Sequence, residues 1–159
     1  MTKSHIFQIN ISPGGVPKSP VRSAEVTELG LVGDAHNNTE VHGGPTRAVC
    51  LYSLERILAL QAEEHPIFPG ATGENITLVG VDWDDVVPGA RLHLGDTVEI
   101  EITKYTEPCP KITASFAGAD ISRMAQAKHP GWSRVYTRVI TPGHIRVGDH
   151  VELVVEVTD

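Results

Sequence analysis

Glycine and proline interrupt this chain too often for long helices. Fifteen glycines and eleven prolines are spread over 159 residues, and the short stretches between them are rich in Val, Ile and Thr. Such punctuation predicts many short strands joined by tight turns, as in a barrel or sandwich. His5 to Ile11 alternates apolar and polar residues and is the first predicted strand. Further strands are expected at Val21 to Thr27, Thr46 to Tyr52, Glu74 to Val79, Ser133 to Ile140 and His150 to Val157. Leu92 to Lys104 also reads as strand, broken at Gly95-Asp96. Pro13-Gly14-Gly15, with Pro17 and Pro20, is a turn-rich loop, because proline cannot donate to a ladder.

Two stretches depart from the strand pattern. Ser53 is a good helix N-cap, and Leu54, Ile57, Leu58 and Gln61 follow at helical spacing, with the helix ending before Pro66. The alanine-rich stretch from Ile112 to Lys128 predicts one or two short helices interrupted near Gly118. Pro88-Gly89 and Pro142-Gly143 each open a short strand, a Gly-Asp turn and a second strand. Reuse of one turn chemistry explains this echo better than duplication, and recurring corners would suit a closed barrel.

The length and a 40% hydrophobic content suffice for one core, so residues 1–159 are read as a single domain. Thirteen Lys and Arg against twenty Asp and Glu leave a formal charge of −7, which argues against a nucleic-acid binder. No apolar run is long enough to cross a bilayer, and the first residues do not resemble a secretory leader. The expected location is the cytoplasm. There are only two cysteines, too few for a disulfide scaffold or a four-cysteine zinc site.

Those two cysteines sit in different company. Cys50 lies in the apolar stretch Ala48-Val49-Cys50-Leu51-Tyr52 and reads as buried strand. Its replacement by alanine should affect stability more than activity. Cys109 stands between Pro108 and Pro110, followed by Lys111. A helix starting near Lys111 or Ile112 would aim N–H groups at the sulfur and favour the thiolate. A thiolate can attack, carry a sulfane sulfur or ligate a soft metal. The other reading of Cys109 is a small buried hydrophobe.

Three further groups carry possible chemistry. Asp34, His36, Glu40 and His42 hold ligand atoms suited to a divalent metal, although their spacing fits no common zinc signature. His42-Gly43-Gly44 followed by Arg47 suits an anion cradle, with backbone N–H groups and a guanidinium converging. Gly73-Glu74-Asn75 makes either a pocket rim or an ordinary turn, and it lacks the Gly-Lys-Ser/Thr ending of a phosphate loop. Lys104, Lys111, Arg134, Arg138 and Arg146 give the C-terminal third a basic character. On a regular strand the period of two places Arg134, Tyr136 and Arg138 on one face, either solvated or holding an anion.

Taken in order, these segments resemble the MOSC domain, named for the C-terminal region of molybdenum cofactor sulfurases, and in particular its small stand-alone bacterial type. The resemblance runs from Gly30 to Val155. It rests on His42-Gly43-Gly44 with Arg47-Ala48-Val49, Gly73-Glu74-Asn75-Ile76-Thr77, Leu94-Gly95-Asp96 and Pro108-Cys109-Pro110-Lys111. It continues through Tyr136, Arg138-Val139, Pro142-Gly143, Ile145, Gly148-Asp149 and Val151. The chain departs from relatives in carrying Glu107 before Pro-Cys, and in the wording Asp34-Ala35-His36-Asn37-Asn38.

The resemblance implies a mainly β fold with a few short helices, closed into a barrel like the inserted domain of pyruvate kinase. It implies that Cys109 carries sulfur or ligates the molybdenum of the pterin cofactor. His42, Gly43, Gly44, Glu74 and Asn75 would line that pocket, and Arg47, Lys111 and Arg138 would face the pterin phosphate. Pyridoxal phosphate is not expected. The function implied is reduction of N-hydroxylated compounds or sulfur transfer through Cys109, on a small-molecule substrate and with an electron-donor or sulfur-donor protein as partner. The alternative is a non-catalytic domain that binds a small anion or a partner. On either ligand-binding reading, replacing Arg138 with alanine should weaken binding more than folding.

Overall fold

The structure is a computed structural model that describes residues 3–35 and 44–154. Eleven strands, one α-helix and four short 3₁₀ turns account for its regular elements among these residues. Strands β1 (His5–Ile11), β2 (Ser19–Val21), β3 (Ser23–Thr27) and β4 (Gly30–Leu31) come first, then β5 (Val49–Ser53) and helix α1 (Leu54–Ala62). They are followed by β6 (Ile76–Val79), β7 (Arg91–Leu94), β8 (Val98–Tyr105), β9 (Val135–Thr141), β10 (Gly143–Arg146) and β11 (Val151–Val154). Eight strands form a mixed sheet in the order β11-β7-β8-β9-β5-β6-β1-β2, and β10-β3-β4 form a second sheet.

Local sequence explains the best-formed elements. Ile6 and Ile9 of β1 are both fully buried although three residues apart. A register shift against β6 between Ile6 and Gln8 makes Phe7 a bulge, which pushes its ring outward and resets the alternation. Ser53 Oγ accepts the Arg56 N–H at 3.1 Å and caps α1, whose buried side chains are Ile57 and Leu60. Leu58, expected on the inner stripe, is exposed. Helix α1 links β5 to β6 as parallel neighbours, a crossover that makes the large sheet mixed. The stretch after Cys109 forms short helices where one or two were expected, but they are three and all of 3₁₀ type, Pro110–Ser115, Ala117–Ala119 and Ile121–Met124. Gly118 adopts φ 69° at the predicted interruption.

The expected closed barrel is not formed. Closure needs a continuous ladder around the circumference, whereas the large sheet ends at β11 on one side and β2 on the other. Around the Gly148-Asp149 turn the chain meets β1 at an isolated bridge, His5 with His150, and no ladder extends from it. Pro20 in β2 lacks an N–H, as befits an edge strand. The Pro-Gly echo also diverges here. Strand β7 pairs with β8 in the large sheet, but β10 leaves for the second sheet and pairs with β3. Two uses of one turn thus open onto different sheets. The correct description is mainly β, with few helices and two open sheets.

The core fills with β-strand side chains, including Ile6, Ile9, Leu51, Ile76, Leu92 and Ile100, all without exposed surface. Among the described residues no helix is long and apolar enough to cross a membrane.

Candidate functional site

Strand β5 lies between antiparallel β9 and parallel β6, so residues of β5, of the entry to β6 and of the first part of β9 come together beside Cys50. There they enclose a pocket of about 70 Å3. Its walls come from the loop Gly15 to Lys18, from Arg47 and Cys50, and from Thr72, Gly73 and Asn75. Cys109 and Lys111 form the more exposed lip, and the buried Ile112, Arg134 and Tyr136 complete the enclosure. Gly70 is what lets the first loop pack so closely. A Cβ on Gly70 would stand 2.6 Å from the Lys18 carbonyl oxygen, and its φ of 89° already disfavours other residues.

Asn75 organises the floor. Its Oδ1 accepts the Cys50 N–H at 3.0 Å, and its Nδ2 donates to the Asn10 carbonyl and to Asp34 Oδ2. Its own N–H donates to the Cys50 carbonyl. Asp34 in turn accepts both 2.6 and 2.8 Å bonds from Lys18 Nζ and one from the Ser12 N–H. Lys18 is buried, so its charge is held at the pocket wall against a matched carboxylate. Nothing in the sequence marks Lys18 for this place, because its partner lies sixteen residues on.

Beside this floor lies Glu74, with no exposed surface. Burial raises its carboxyl pKa above the usual range, opposed by backbone and Thr72 hydrogen bonds and by Arg134. Arg134 is itself buried and donates from one terminal nitrogen to the Thr72 carbonyl. Its Nε is buried with no hydrogen-bond partner among the described residues. A buried cation with an unused donor on a pocket wall is a site prepared for an anion.

The two cysteines meet at this pocket. Cys50 is buried in β5, as expected, yet its side chain also forms part of the wall. Its Sγ lies 3.7 Å from Thr106 Oγ1, and burial raises the thiol pKa. Cys109 is half-buried on the lip. The 3₁₀ turn that follows it gives its side chain no capping hydrogen bond, so the expected donation of helical N–H groups to the sulfur is not made. Burial also raises the Tyr136 hydroxyl pKa, with both thiols adding to the effect and Arg134 opposing it. That hydroxyl keeps its proton and is a donor at the pocket wall.

The other expected site residues are divided. Arg47, Asn75, Lys111 and Cys109 are brought together on the pocket wall. Gly44 is exposed in a turn that Arg47 closes through its N–H. His42 and Gly43 lie outside the described residues, as do His36 and Glu40 of the possible metal cluster. Among the described residues no three His, Cys, Asp or Glu side chains are grouped to hold a metal. Arg138 is placed elsewhere, exposed and ion-paired with Glu101 in a surface cleft with Arg91. Of the remaining basic residues, Lys104 lies over the Tyr136 ring at 5.9 Å, and Arg146 is exposed in the second sheet.

The donor set can be tested against the molybdenum cofactor implied by the sequence. No acidic side chain lies on the described wall, four cations do, and a thiol stands at the lip. That chemistry fits the anionic, metal-bearing part of such a group. The volume is far below the roughly 300 Å3 of the smallest typical ligand pockets, so only a part of it would enter.

Known proteins resemble this chain in sequence and in fold. The model of the MOSC domain matches residues 38–152. Protein YiiM of Escherichia coli is 35% identical over 140 residues, covering 84% of this chain and 60% of that protein. A protein of Gibberella moniliformis named Reductase is 31% identical over 129 residues, covering 78% of this chain and 22% of that protein. The crystal structure of YiiM from Geobacillus stearothermophilus matches with a TM-score of 0.73 at 26% identity, over 96% of this chain and 75% of that one. The chain thus spans about 60% of the length of the Escherichia coli relative. On the match to residues 38–152 and the identity to YiiM, the chain belongs to the MOSC domain family.

Proposed function

We propose that the protein binds the molybdenum cofactor at the Cys109 pocket and serves as a cytoplasmic reductase of N-hydroxylated small molecules. The observation that carries this reading is a half-buried thiol on the same pocket wall as Arg134, a buried cation whose Nε lacks a partner among the described residues. Membership of a family associated with this cofactor supports it, as does the fungal relative named Reductase.

When bound, the cofactor would supply two-electron oxo-transfer chemistry. The residues of this chain have narrower tasks. Cys109 offers sulfur as a metal ligand. Arg134, Arg47 and Lys111 hold negative charge against the wall, and Lys18 stays fixed through Asp34. Tyr136 donates a hydrogen bond from a hydroxyl that stays protonated. Reduction of R–NHOH to R–NH2 and water takes two electrons and two protons, so an electron-donor protein is required as partner. If Cys109 carries sulfur instead, a sulfur-donor protein takes that place.

Protein purified from a cofactor-competent host should contain molybdenum and pterin, and Cys109→Ser should lose both while staying folded. Absence of both from the wild type, with Cys109→Ser equal to it in every activity, would refute the reading. A sulfur-sized mass on Cys109 without molybdenum would assign sulfur transfer.

A further inference from the structure

We infer that Cys50 and Cys109 are joined by a reversible disulfide across the pocket when the protein meets an oxidised low-molecular-weight thiol. This goes beyond the proposed reductase activity and does not depend on it. Both cysteines are free thiols, and both lie on the wall of the same small cavity. They differ in access. Cys109 is half-buried on the lip, whereas Cys50 is 5% exposed at the back.

Backbone order favours their approach. Cys50 is fixed in β5, because Asn75 binds both its N–H and its carbonyl. Its sulfur touches Thr106, and Cys109 follows Thr106 across only Glu107 and Pro108. Those two residues lie between β8 and the 3₁₀ turn Pro110–Ser115 and belong to neither. A disulfide needs Cα atoms within about 7 Å, and this short segment is the part that would adjust. Tyr136 pairs with Cys50 across the β5–β9 ladder and shares the cavity wall with Cys109.

The chemistry is two thiol–disulfide exchanges. Cys109 attacks one sulfur of the small disulfide, forming a mixed disulfide as the original S–S bond breaks. The first small thiol leaves and takes the proton given up by Cys109. Cys50 then attacks the Cys109 sulfur, the mixed disulfide breaks, and the second small thiol leaves with the Cys50 proton. Two electrons pass from the protein dithiol to the small disulfide, and no other reactant is consumed. Burial raises the Cys50 pKa, so the second exchange is the slower one. The product has neither sulfur available for ligation or sulfur transfer.

The test exposes the folded full chain to oxidised glutathione and follows intact mass over time. Circular dichroism verifies that the fold is retained. A glutathione adduct should rise and fall, leaving the mass of the reduced chain less two hydrogens. Both cysteines should then resist maleimide in denaturant, an unreduced digest should contain the Cys50–Cys109 cross-link, and dithiothreitol should reverse all of it. Cys50→Ala should stop at a stable adduct on Cys109. A wild type that also stops there, with Cys50 still alkylated after unfolding, would overturn the inference. So would dimers linked through Cys109, or a cross-link that forms only once the fold is lost.

Discussion

Arg134 and Arg138 stand four residues apart at the two ends of one strand segment, and the fold treats them oppositely. Arg134, just before β9, is buried beside Glu74 with a donor unused. Arg138, well inside β9, is exposed and paired with Glu101 across the β8 ladder. Charge is the same at both ends, but its surroundings differ. At the first, the protein bears the desolvation of a cation without matching it fully, which is expensive unless a ligand completes the match. At the second, water and a carboxylate already satisfy the group, and little binding energy is left to offer.

The sharpest way to break this contrast is to remove the floor that supports the buried end. Asn75→Ala leaves the Cys50 N–H and the Asn10 carbonyl without partners in the interior and frees Asp34 from one donor. Two or more unsatisfied buried groups should cost about 2–4 kcal/mol of stability, read from urea denaturation. A loss below about 1 kcal/mol would mean that the floor does not depend on this amide.

Arg134→Met tests the buried cation itself. Methionine fills similar space, and removing a poorly matched buried charge offsets the lost bond to the Thr72 carbonyl. Stability should therefore change by less than about 2 kcal/mol. Molybdenum retained per chain should fall by more than about tenfold, the equivalent of ~1.4 kcal/mol. Unchanged retention would show that the unused Nε serves no ligand.

Glu74 offers a pH signature. Its folded pKa is raised by burial above the ordinary 4.5. Above that value the unfolded chain has released the proton while the folded chain keeps it, so stability falls as pH rises toward the folded pKa. The contribution is fully present below the ordinary value. Glu74→Gln cannot titrate and should escape the decline, gaining on the wild type by about 1 kcal/mol between pH ~5 and ~7. Denaturant midpoints across that range decide it. A constant difference would mean that Glu74 ionises normally and that Arg134 is already matched.

What the sequence disclosed and what it hid follow from the range of the interactions. Short-range signals were legible. The bounds of β1, the Ser53 cap and the interruption at Gly118 appear where alternation, capping and glycine place them. Proline neighbours singled out Cys109, and Arg47, Asn75 and Lys111 fall on its pocket wall. Long-range matches were not legible. Lys18 reaches the pocket because Gly70 admits its loop, and the burial of Glu74 and Arg134 depends on strands distant in sequence. Closure was misjudged because alternation reports which face of a strand is buried, whereas sheet closure depends on which strands meet at the edges. Strand β9 itself stays regular. The β8 ladder carries one extra residue, Thr103, between Ile102 and Lys104, while β9 runs through their partners Thr137 and Tyr136 without a break, so the unequal burial of Arg134 and Arg138 comes from what covers each and not from the strand period.

The smallest effect is expected at the exposed end, and it is the most direct check on the contrast. Arg138→Ala removes an ion pair in which the guanidinium is about half exposed, with a relative side-chain accessibility of 48%. Pairs of this kind contribute about 0.5 kcal/mol or less, and salt screens them further. The urea midpoint should barely move, and molybdenum retention should match the wild type. Arg138 faces Glu101 and Arg91 in a different cleft from Cys109. A loss of retention at Arg138 equal to that at Arg134 would mean that bound ligand extends along β9 to the Glu101 cleft. The ligand site would then include both arginines, and burial would no longer decide which of them binds.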